Sequence, residues 1–256
     1  MGAFRSLRRV LVLAGAALLI VLVTGSVALA AKPPTSGNGN GHGGNGGGGS
    51  TPTPTPTQTP GSQVVCVDAG HGGSDPGAVY GGLQEKDLTL QIAGLLGTEL
   101  ANQGYRVIMT RTDDTSLTNT QRAEICNGSN FNGTNPDGLT ANIDIAIHLN
   151  AASDPTIDYF QAFWGKKNKD LAFSQAITDH YVLPSGSGTG YLTDNAVGQF
   201  ASGELLKTNC PATLAETVFL SNTEEQHLLG DGTGARQQQI ADALDAGIVA
   251  WLGPAQ

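Results

Sequence analysis

Four side chains capable of metal or acid–base chemistry lie at or just after short ordered segments of this sequence. His71 follows an apolar run, His148 and Glu216 each end another, and Glu85 opens a helical pattern. Apolar runs of this length predict strands, and ligands bind at the C-terminal ends of the strands of an open α/β sheet. Two imidazoles and a carboxylate form a common catalytic zinc set, and a second carboxylate can then act as the base.

Each of these residues also has a purely structural interpretation when taken alone. His71 lies in a glycine-rich turn, and a carboxylate in the first turn of a helix, such as Glu85, is favoured by the helix dipole. His148 is explained equally well as a hydrogen-bonded core histidine, and Glu216 as half of a buried ion pair. If each residue were purely structural, four independent coincidences would be needed to place all four at one edge of the sheet. Their combination therefore favours a metal site.

The elements that position these residues alternate between strands and helices, with no internal repeat. This order predicts an α/β fold: a single three-layer domain with a mostly parallel twisted sheet, helices on both faces and the zinc site at the C-terminal rim of the strands. A capping box of Thr118 and Gln121 predicts one helix start, and Asn222 predicts another. We expect strands at 63–68, 105–110, 143–149, 160–164, 204–206 and 213–216, and helices at 85–102, 118–125, 169–182, 223–229 and 235–252.

The first 31 residues are typical of an export signal. Arg5, Arg8 and Arg9 precede an apolar run over 10–23, and small residues follow it. This pattern predicts a signal peptide over 1–31. The alternative is an uncleaved membrane anchor, because 10–31 is long enough to span a bilayer. In both cases the rest of the chain is exported to the periplasm, the cell wall or the extracellular space.

A linker and one domain are predicted to follow the leader. Residues 32–62 are rich in Gly and Asn and then in Thr-Pro repeats, so they cannot bury enough apolar surface to order themselves. We expect a flexible coil that passes into a stiffer extended spacer. Residues 63–253 are long enough to form a single sizeable core.

The charge of the domain excludes some classes of partner. All 22 acidic residues follow position 62, whereas four of the 13 basic residues precede it. This acidic balance, with no basic patch, predicts that the domain does not bind nucleic acid. It also limits membrane contact to the N-terminal segment, if that segment is uncleaved.

The three cysteines give no metal motif. Cys66, Cys126 and Cys210 are widely spaced and include no CxxC, so a cysteine-based zinc site is not expected. Export permits one disulfide with one thiol left over. Because Cys66 lies inside a strand pattern, we predict instead three buried, unpaired cysteines that act as small apolar groups.

Several short motifs lie in order along nearly all of 64–252. They are 68–73 (DAGHGG), 75–78 (DPGA), 85–87 (EKD), 105–111 (YRVIMTR), Ser116-Leu117, Arg122-Ala123, 147–151 (IHLNA), 211–216 (PATLAE) and 219–222 (FLSN). Together they resemble the motifs of the zinc-dependent N-acetylmuramoyl-L-alanine amidases of the Amidase_3 family.

This resemblance implies a function and a role for each site residue. It implies zinc (Zn2+) held by His71, Glu85 and His148, with Glu216 as the catalytic general base. The implied substrate is peptidoglycan, cut at the amide between N-acetylmuramic acid and L-alanine. A protein activator is compatible with the resemblance, which does not identify one.

Two other functions stay open at this point. One is a different zinc peptidase that cuts elsewhere in the peptidoglycan stem peptide. The other is a wall-binding module that has lost catalysis, against which the retained Glu216 counts. The products released from peptidoglycan distinguish the three.

Overall fold

The computed structural model describes residues 63–185, 192 and 195–255. The predicted leader at 1–31 and linker at 32–62 lie outside these residues. The described strands are β1 Val64–Ala69, β2 Val79–Tyr80, β3 Leu83–Gln84, β4 Arg106–Met109, β5 Ile143–Asn150, β6 Gln161–Trp164, β7 Ala196–Gln199 and β8 Ala212–Phe219.

Six of these strands form one sheet in the order β4-β1-β5-β8-β6-β7. The pairs β4–β1, β1–β5 and β5–β8 are parallel, whereas β6 runs antiparallel to β8 and parallel to β7. Strands β2 and β3 form a separate small antiparallel hairpin. The order places β1, β5 and β8 side by side at the centre, with their C-terminal ends on one edge.

Helices cover both faces of the sheet, which confirms the predicted three-layer fold. The helices are α1 Glu85–Asn102, α2 Asn119–Cys126, α3 Lys167–His180, α4 Gly203–Lys207, α5 Thr223–Leu229 and α6 Ala235–Leu252. Helices α1, α3 and α6 pack over one face in a large apolar core, and α2 and α4 lie over the other. Among the described residues, no helix is both long and apolar enough to cross a membrane.

Side-chain caps fix two of the helix starts where the sequence predicts them. Thr118 accepts a hydrogen bond from the Gln121 backbone N–H, and the Gln121 side chain accepts one from the Thr118 N–H, which is the predicted capping box. Asn222 accepts hydrogen bonds from the backbone N–H groups of Glu224 and Glu225. These bonds satisfy N–H groups that have no partner within the helix.

The predicted strand at 204–206 is wrong, since these residues lie in the short helix α4. The Ser202 hydroxyl accepts a hydrogen bond from the Glu204 N–H at 3.3 Å and starts a helical turn. A short apolar segment contains too few residues to distinguish the two-residue period of a strand from the 3.6-residue period of a helix. Strand β7 was not predicted, because it is only partly buried and shows no apolar alternation.

The prediction of three unpaired cysteines is also wrong. Cys66 in β1 and Cys126 at the end of α2 form a disulfide, with their Cα atoms 5.5 Å apart. Cys66 faces the side of β1 on which α2 packs, so a position inside a buried strand does not prevent pairing. Cys210 is a buried free thiol.

Candidate active site

The four predicted site residues converge at the C-terminal edge of the central strands. His71 lies two residues beyond β1, and His148 lies near the end of β5. Glu216 in β8 is the register partner of His148, so the two side chains project from neighbouring positions on adjacent parallel strands. Glu85 reaches the same point from the first turn of α1.

The loop after β1 brings the backbone very close to the His148 ring. The Gly70 N–H donates to the Ile147 carbonyl at 3.0 Å and extends the sheet by one residue. A Cβ atom at Gly70 would lie 2.5 Å from the His148 imidazole, so only glycine fits there. The next residue, His71, takes a left-handed conformation with φ of 60°. This turn points its side chain back toward His148.

Three donor atoms of the site lie within bonding range of a common point. His71 Nε2 is 3.0 Å from Glu85 Oε1, and His148 Nδ1 is 3.1 Å from the same oxygen. The two imidazole nitrogens are 3.2 Å apart. These side chains are therefore arranged as a group that could hold one metal ion.

One other group of metal-type side chains occurs within the described part of the chain. It consists of Cys66, Cys126 and Asp144, all buried. Both sulfurs are committed to the disulfide and are not available as thiolate ligands. The histidine–glutamate group is thus the better candidate metal centre.

Neighbouring groups hold the donor atoms in place. Asp75 Oδ2 lies 2.9 Å from His71 Nδ1 and accepts a hydrogen bond from it, so that in the neutral imidazole the lone pair is on Nε2. Glu85 accepts hydrogen bonds from the Ala78 N–H at 2.8 Å and the Leu149 N–H at 2.9 Å. The carboxylate is therefore fixed at both oxygens before any metal binds.

Without a metal, the electrostatics of the site favour an ionised Glu85 carboxylate beside a protonated His71 imidazole. Burial disfavours charge on His71, but the hydrogen bonds and charges of Glu85 and Asp75 outweigh it and raise the pKa of His71 to about 9. Burial opposes ionisation of Glu85 as well, yet the hydrogen bonds and charges of the two imidazoles hold its pKa far below the usual range. A metal ion would have to displace a proton from this site.

Glu216 differs from Glu85 in its surroundings. Its Oε2 atom is buried and, among the described residues, has no hydrogen-bond partner. Burial raises the pKa of Glu216 to about 7, since it outweighs the opposing charge of the His148 imidazole, and the Glu85 carboxylate adds to the rise. A carboxyl group that titrates near neutral pH can both accept and return a proton.

Other residues near these motifs divide into structural and supporting groups. The His180 Nδ1 atom contacts the Ala176 carbonyl of its own helix, and Asn150 at the end of β5 accepts a hydrogen bond from the Ala151 N–H. These bonds do not involve the four candidate site residues. The sequence pattern does not identify Asp75 as the partner of His71. Its position between the glycine-rich loop and Glu85 was the only indication.

The comparison with protein families identifies the chain. Residues 65–250 match the family Amidase_3, described as N-acetylmuramoyl-L-alanine amidase. The chain belongs to this family. The germination-specific N-acetylmuramoyl-L-alanine amidase of Bacillus subtilis (strain 168) is 31% identical to it over 205 residues, which cover 74% of this chain and 80% of that protein.

Solved structures of Amidase_3 relatives share the same fold. The crystal structure of an N-acetylmuramoyl-L-alanine amidase from Clostridium difficile 630 aligns with a TM-score of 0.62 at 27% identity, over 75% of this chain and 97% of that one. The CwlD amidase from Clostridioides difficile, solved in complex with the GerS lipoprotein, aligns with a TM-score of 0.60 at 31% identity, over 75% and 98%.

Proposed function

We propose that this protein is an exported zinc-dependent hydrolase that cleaves the amide between N-acetylmuramic acid and L-alanine in peptidoglycan. Family membership and the amidase names of its relatives support the amidase activity. The observation that carries the zinc mechanism is the convergence of His71, Glu85 and His148 beside Glu216.

The donor set fits zinc in type and spacing. Nitrogen and carboxylate ligands at about 2.0–2.2 Å from a tetrahedral zinc ion would lie about 3.3–3.6 Å from one another. The three donor separations of 3.0, 3.1 and 3.2 Å are close to that range without any metal. His71, Glu85 and His148 would therefore hold the ion. Zinc bound there would polarise the scissile carbonyl and lower the pKa of a water toward about 7.

Glu216 is the proposed general base and acid of the reaction. An amide resists hydrolysis because its carbonyl is a poor electrophile and its nitrogen a poor leaving group. The Glu216 carboxylate takes a proton from the attacking water as the water oxygen bonds to the carbonyl carbon. It then returns that proton to the nitrogen as the carbon–nitrogen bond breaks. The products are a free lactyl carboxylate and a peptide with a free L-alanine amine.

Asp75 has a supporting role in this proposal. By accepting a hydrogen bond from His71 Nδ1 at 2.9 Å, it favours the neutral tautomer whose lone pair is on Nε2, the atom that lies 3.0 Å from Glu85 Oε1. Carboxylate partners of this kind orient metal-binding histidines and increase their basicity.

The proposed chain organisation is a leader at 1–31, a linker at 32–62 and the catalytic domain at 63–253. The Cys66–Cys126 disulfide supports export, because disulfides persist in oxidising compartments. Peptidoglycan is the proposed partner. A protein activator is included because CwlD, a related amidase, was solved with the GerS lipoprotein.

Mass spectrometry of muropeptides tests this function. Purified sacculi are digested with the full-length chain, with and without a chelator. We expect stem peptides that begin with free L-alanine, loss of all cleavage with chelator, and recovery on adding zinc. Cuts within the stem would instead indicate another peptidase, binding without release would indicate a wall-binding module, and cleavage that survives chelation would exclude zinc.

A further inference from the structure

We propose that two buried arginines, Arg111 and Arg122, are positioning residues that hold the backbone after β1 so that His71 faces the metal site. The inference rests on the proposed zinc function. Both residues belong to motifs that carry the family resemblance, yet neither contacts the donor atoms themselves. Between them, they donate hydrogen bonds to the three consecutive backbone carbonyls of residues 69–71.

Arg122 reaches this loop from helix α2. Its side chain is 4% exposed. Its Nη1 atom donates to Asp68 Oδ1 at 2.6 Å and to the Ala69 carbonyl at 2.7 Å, and Nη2 donates to the His71 carbonyl at 2.6 Å. Asp68 is fully buried and also accepts the Thr110 hydroxyl, so it anchors the guanidinium from within β1.

Arg111 reaches the same loop from the segment after β4. Its side chain is 1% exposed. Nε donates to the Ala69 carbonyl at 2.9 Å, and Nη2 donates to the carbonyls of Gly70 and Lys86, each at 2.8 Å. Lys86 follows Glu85 directly. Arg111 therefore connects the loop that carries one donor to the helical turn that carries another.

The loop needs such support because its conformation is unfavourable on its own. The regular ladder between β1 and β5 ends at Gly70, and His71 adopts a left-handed φ of 60° that side-chain-bearing residues rarely take. A residue in such a conformation persists only where several contacts with the surrounding structure hold it there. Each guanidinium supplies several donors in one rigid plane, which an ammonium group cannot do. Without these donors we expect the loop to relax and His71 Nε2 to move away from Glu85 Oε1.

The contacts of Arg111 point to backbone support rather than ion pairing. Within the described part of the chain, no carboxylate is in salt-bridge contact with Arg111, whose bonds go to carbonyls and to the Thr89 hydroxyl. Arg236 is a useful contrast. It is 2% exposed, and its bonds go to Glu225, Gln239 and the Pro184 carbonyl, away from the residues of the loop.

The zinc dissociation constant of the full-length chain, measured by competition with a chromophoric chelator, tests the proposal. We expect Arg122→Gln and Arg111→Gln each to weaken zinc binding by about 10- to 100-fold, as loss of partners that orient ligands does. The matched control is Arg236→Gln, which removes an equally buried arginine. It is expected to lower Tm and to leave the zinc dissociation constant within about twofold of wild type, because it leaves the ligand loop unchanged.

A second measurement separates loss of positioning from loss of stability. In zinc-free chains, hydrogen exchange at the amides of residues 70–73 should be faster in the Arg122 and Arg111 variants than in Arg236→Gln. If Arg122→Gln does not fold, Arg122→Lys decides the question, because it keeps the charge beside Asp68 but lacks the planar fork. Folded variants with wild-type zinc affinity and wild-type exchange would overturn the inference alone. A wild-type chain that binds no zinc would overturn the proposed function and this inference together.

Discussion

At the scale of single residues, Glu216 and Glu85 are two carboxylates whose different surroundings suit them to the different roles proposed for them. Glu85 accepts two backbone N–H groups and two imidazoles, which stabilise its charge. Glu216 has a buried oxygen without a partner among the described residues, and its pKa is raised to about 7. The first is suited to holding a cation and the second to moving a proton.

Replacing Glu216 should therefore separate metal binding from turnover. We expect Glu216→Gln to retain one zinc per chain and to lose at least about 100-fold in turnover, in line with the usual size of general acid–base catalysis. Zinc content by mass spectrometry and release of new amino groups from sacculi measure the two effects. A Glu216→Gln chain as active as wild type would remove this residue from the mechanism.

Replacing His71 should instead remove the metal, and with it the turnover that depends on the metal. We expect His71→Ala to lose zinc, because only two of the three donors remain. His180→Ala is the control, since His180 is exposed at the end of α3 and its Nδ1 atom contacts the Ala176 carbonyl of its own helix. Metal analysis after dialysis distinguishes the two variants. Full zinc stoichiometry in His71→Ala would refute the assignment of this ligand.

The sequence predicts that the four candidate site residues meet at the sheet edge, because each lies within or beside a recognisable strand or helix pattern. It does not predict the groups that support them. Asp75 contacts His71 through a turn whose geometry depends on glycines, and Arg122 reaches residues 68–71 from a helix more than 50 positions away. Neither kind of contact leaves a periodic pattern in the sequence, because one depends on turn geometry and the other joins residues far apart in the chain.

At the scale of elements, the central strands are the part of the fold that the sequence specifies best. Strands β1, β5 and β8 are almost wholly buried and mostly apolar, so the sequence predicts all three as strands. Edge elements are less well specified. Strand β7 is partly exposed, and α4 has only five residues, so tertiary contacts rather than local pattern decide their structure.

The disulfide between β1 and α2 makes a stability contribution that can be measured. Cys66 and Cys126 are separated by 60 residues, and closing a loop of that size stabilises a protein by about 2–4 kcal/mol. We expect the double variant Cys66→Ala, Cys126→Ala to lower Tm by clearly more than Cys210→Ala, the buried free thiol. Thermal unfolding of both variants checks this. Equal losses would mean that the crosslink adds little to the packing of the two side chains.

At the scale of the whole molecule, several buried groups bind protons more tightly in the folded state than in the unfolded state. Burial, together with neighbouring acids, raises the pKa of Asp144 and of Asp158 to about 7, from ordinary values of 3.8. The pKa of His71 rises from 6.5 to about 9 because Glu85 and Asp75 outweigh burial. Between pH 5 and pH 8 the native state therefore holds more protons, so its stability falls as pH rises. The lowered pKa of Glu85 acts in the opposite direction only below about pH 5.

We accordingly expect the zinc-free chain to have a higher Tm at pH 5.5 than at pH 8.0. The chelator must be present in both buffers, because bound zinc would add its own stabilisation at the higher pH. Asp144→Asn should reduce the difference, since it removes one of the groups that titrate in this window. Scanning calorimetry at matched ionic strength measures it. A Tm that rises between these two pH values would contradict the assignment of buried, protonated acids.

The most direct test of the proposed zinc centre is anomalous diffraction at the zinc absorption edge, from crystals of the full-length chain grown with zinc. We expect one strong anomalous peak within about 2.0–2.2 Å of His71 Nε2, a Glu85 carboxylate oxygen and His148 Nδ1, with Glu216 close by but unbound. Zinc bound elsewhere on the chain, with these three donor atoms left empty, would contradict it.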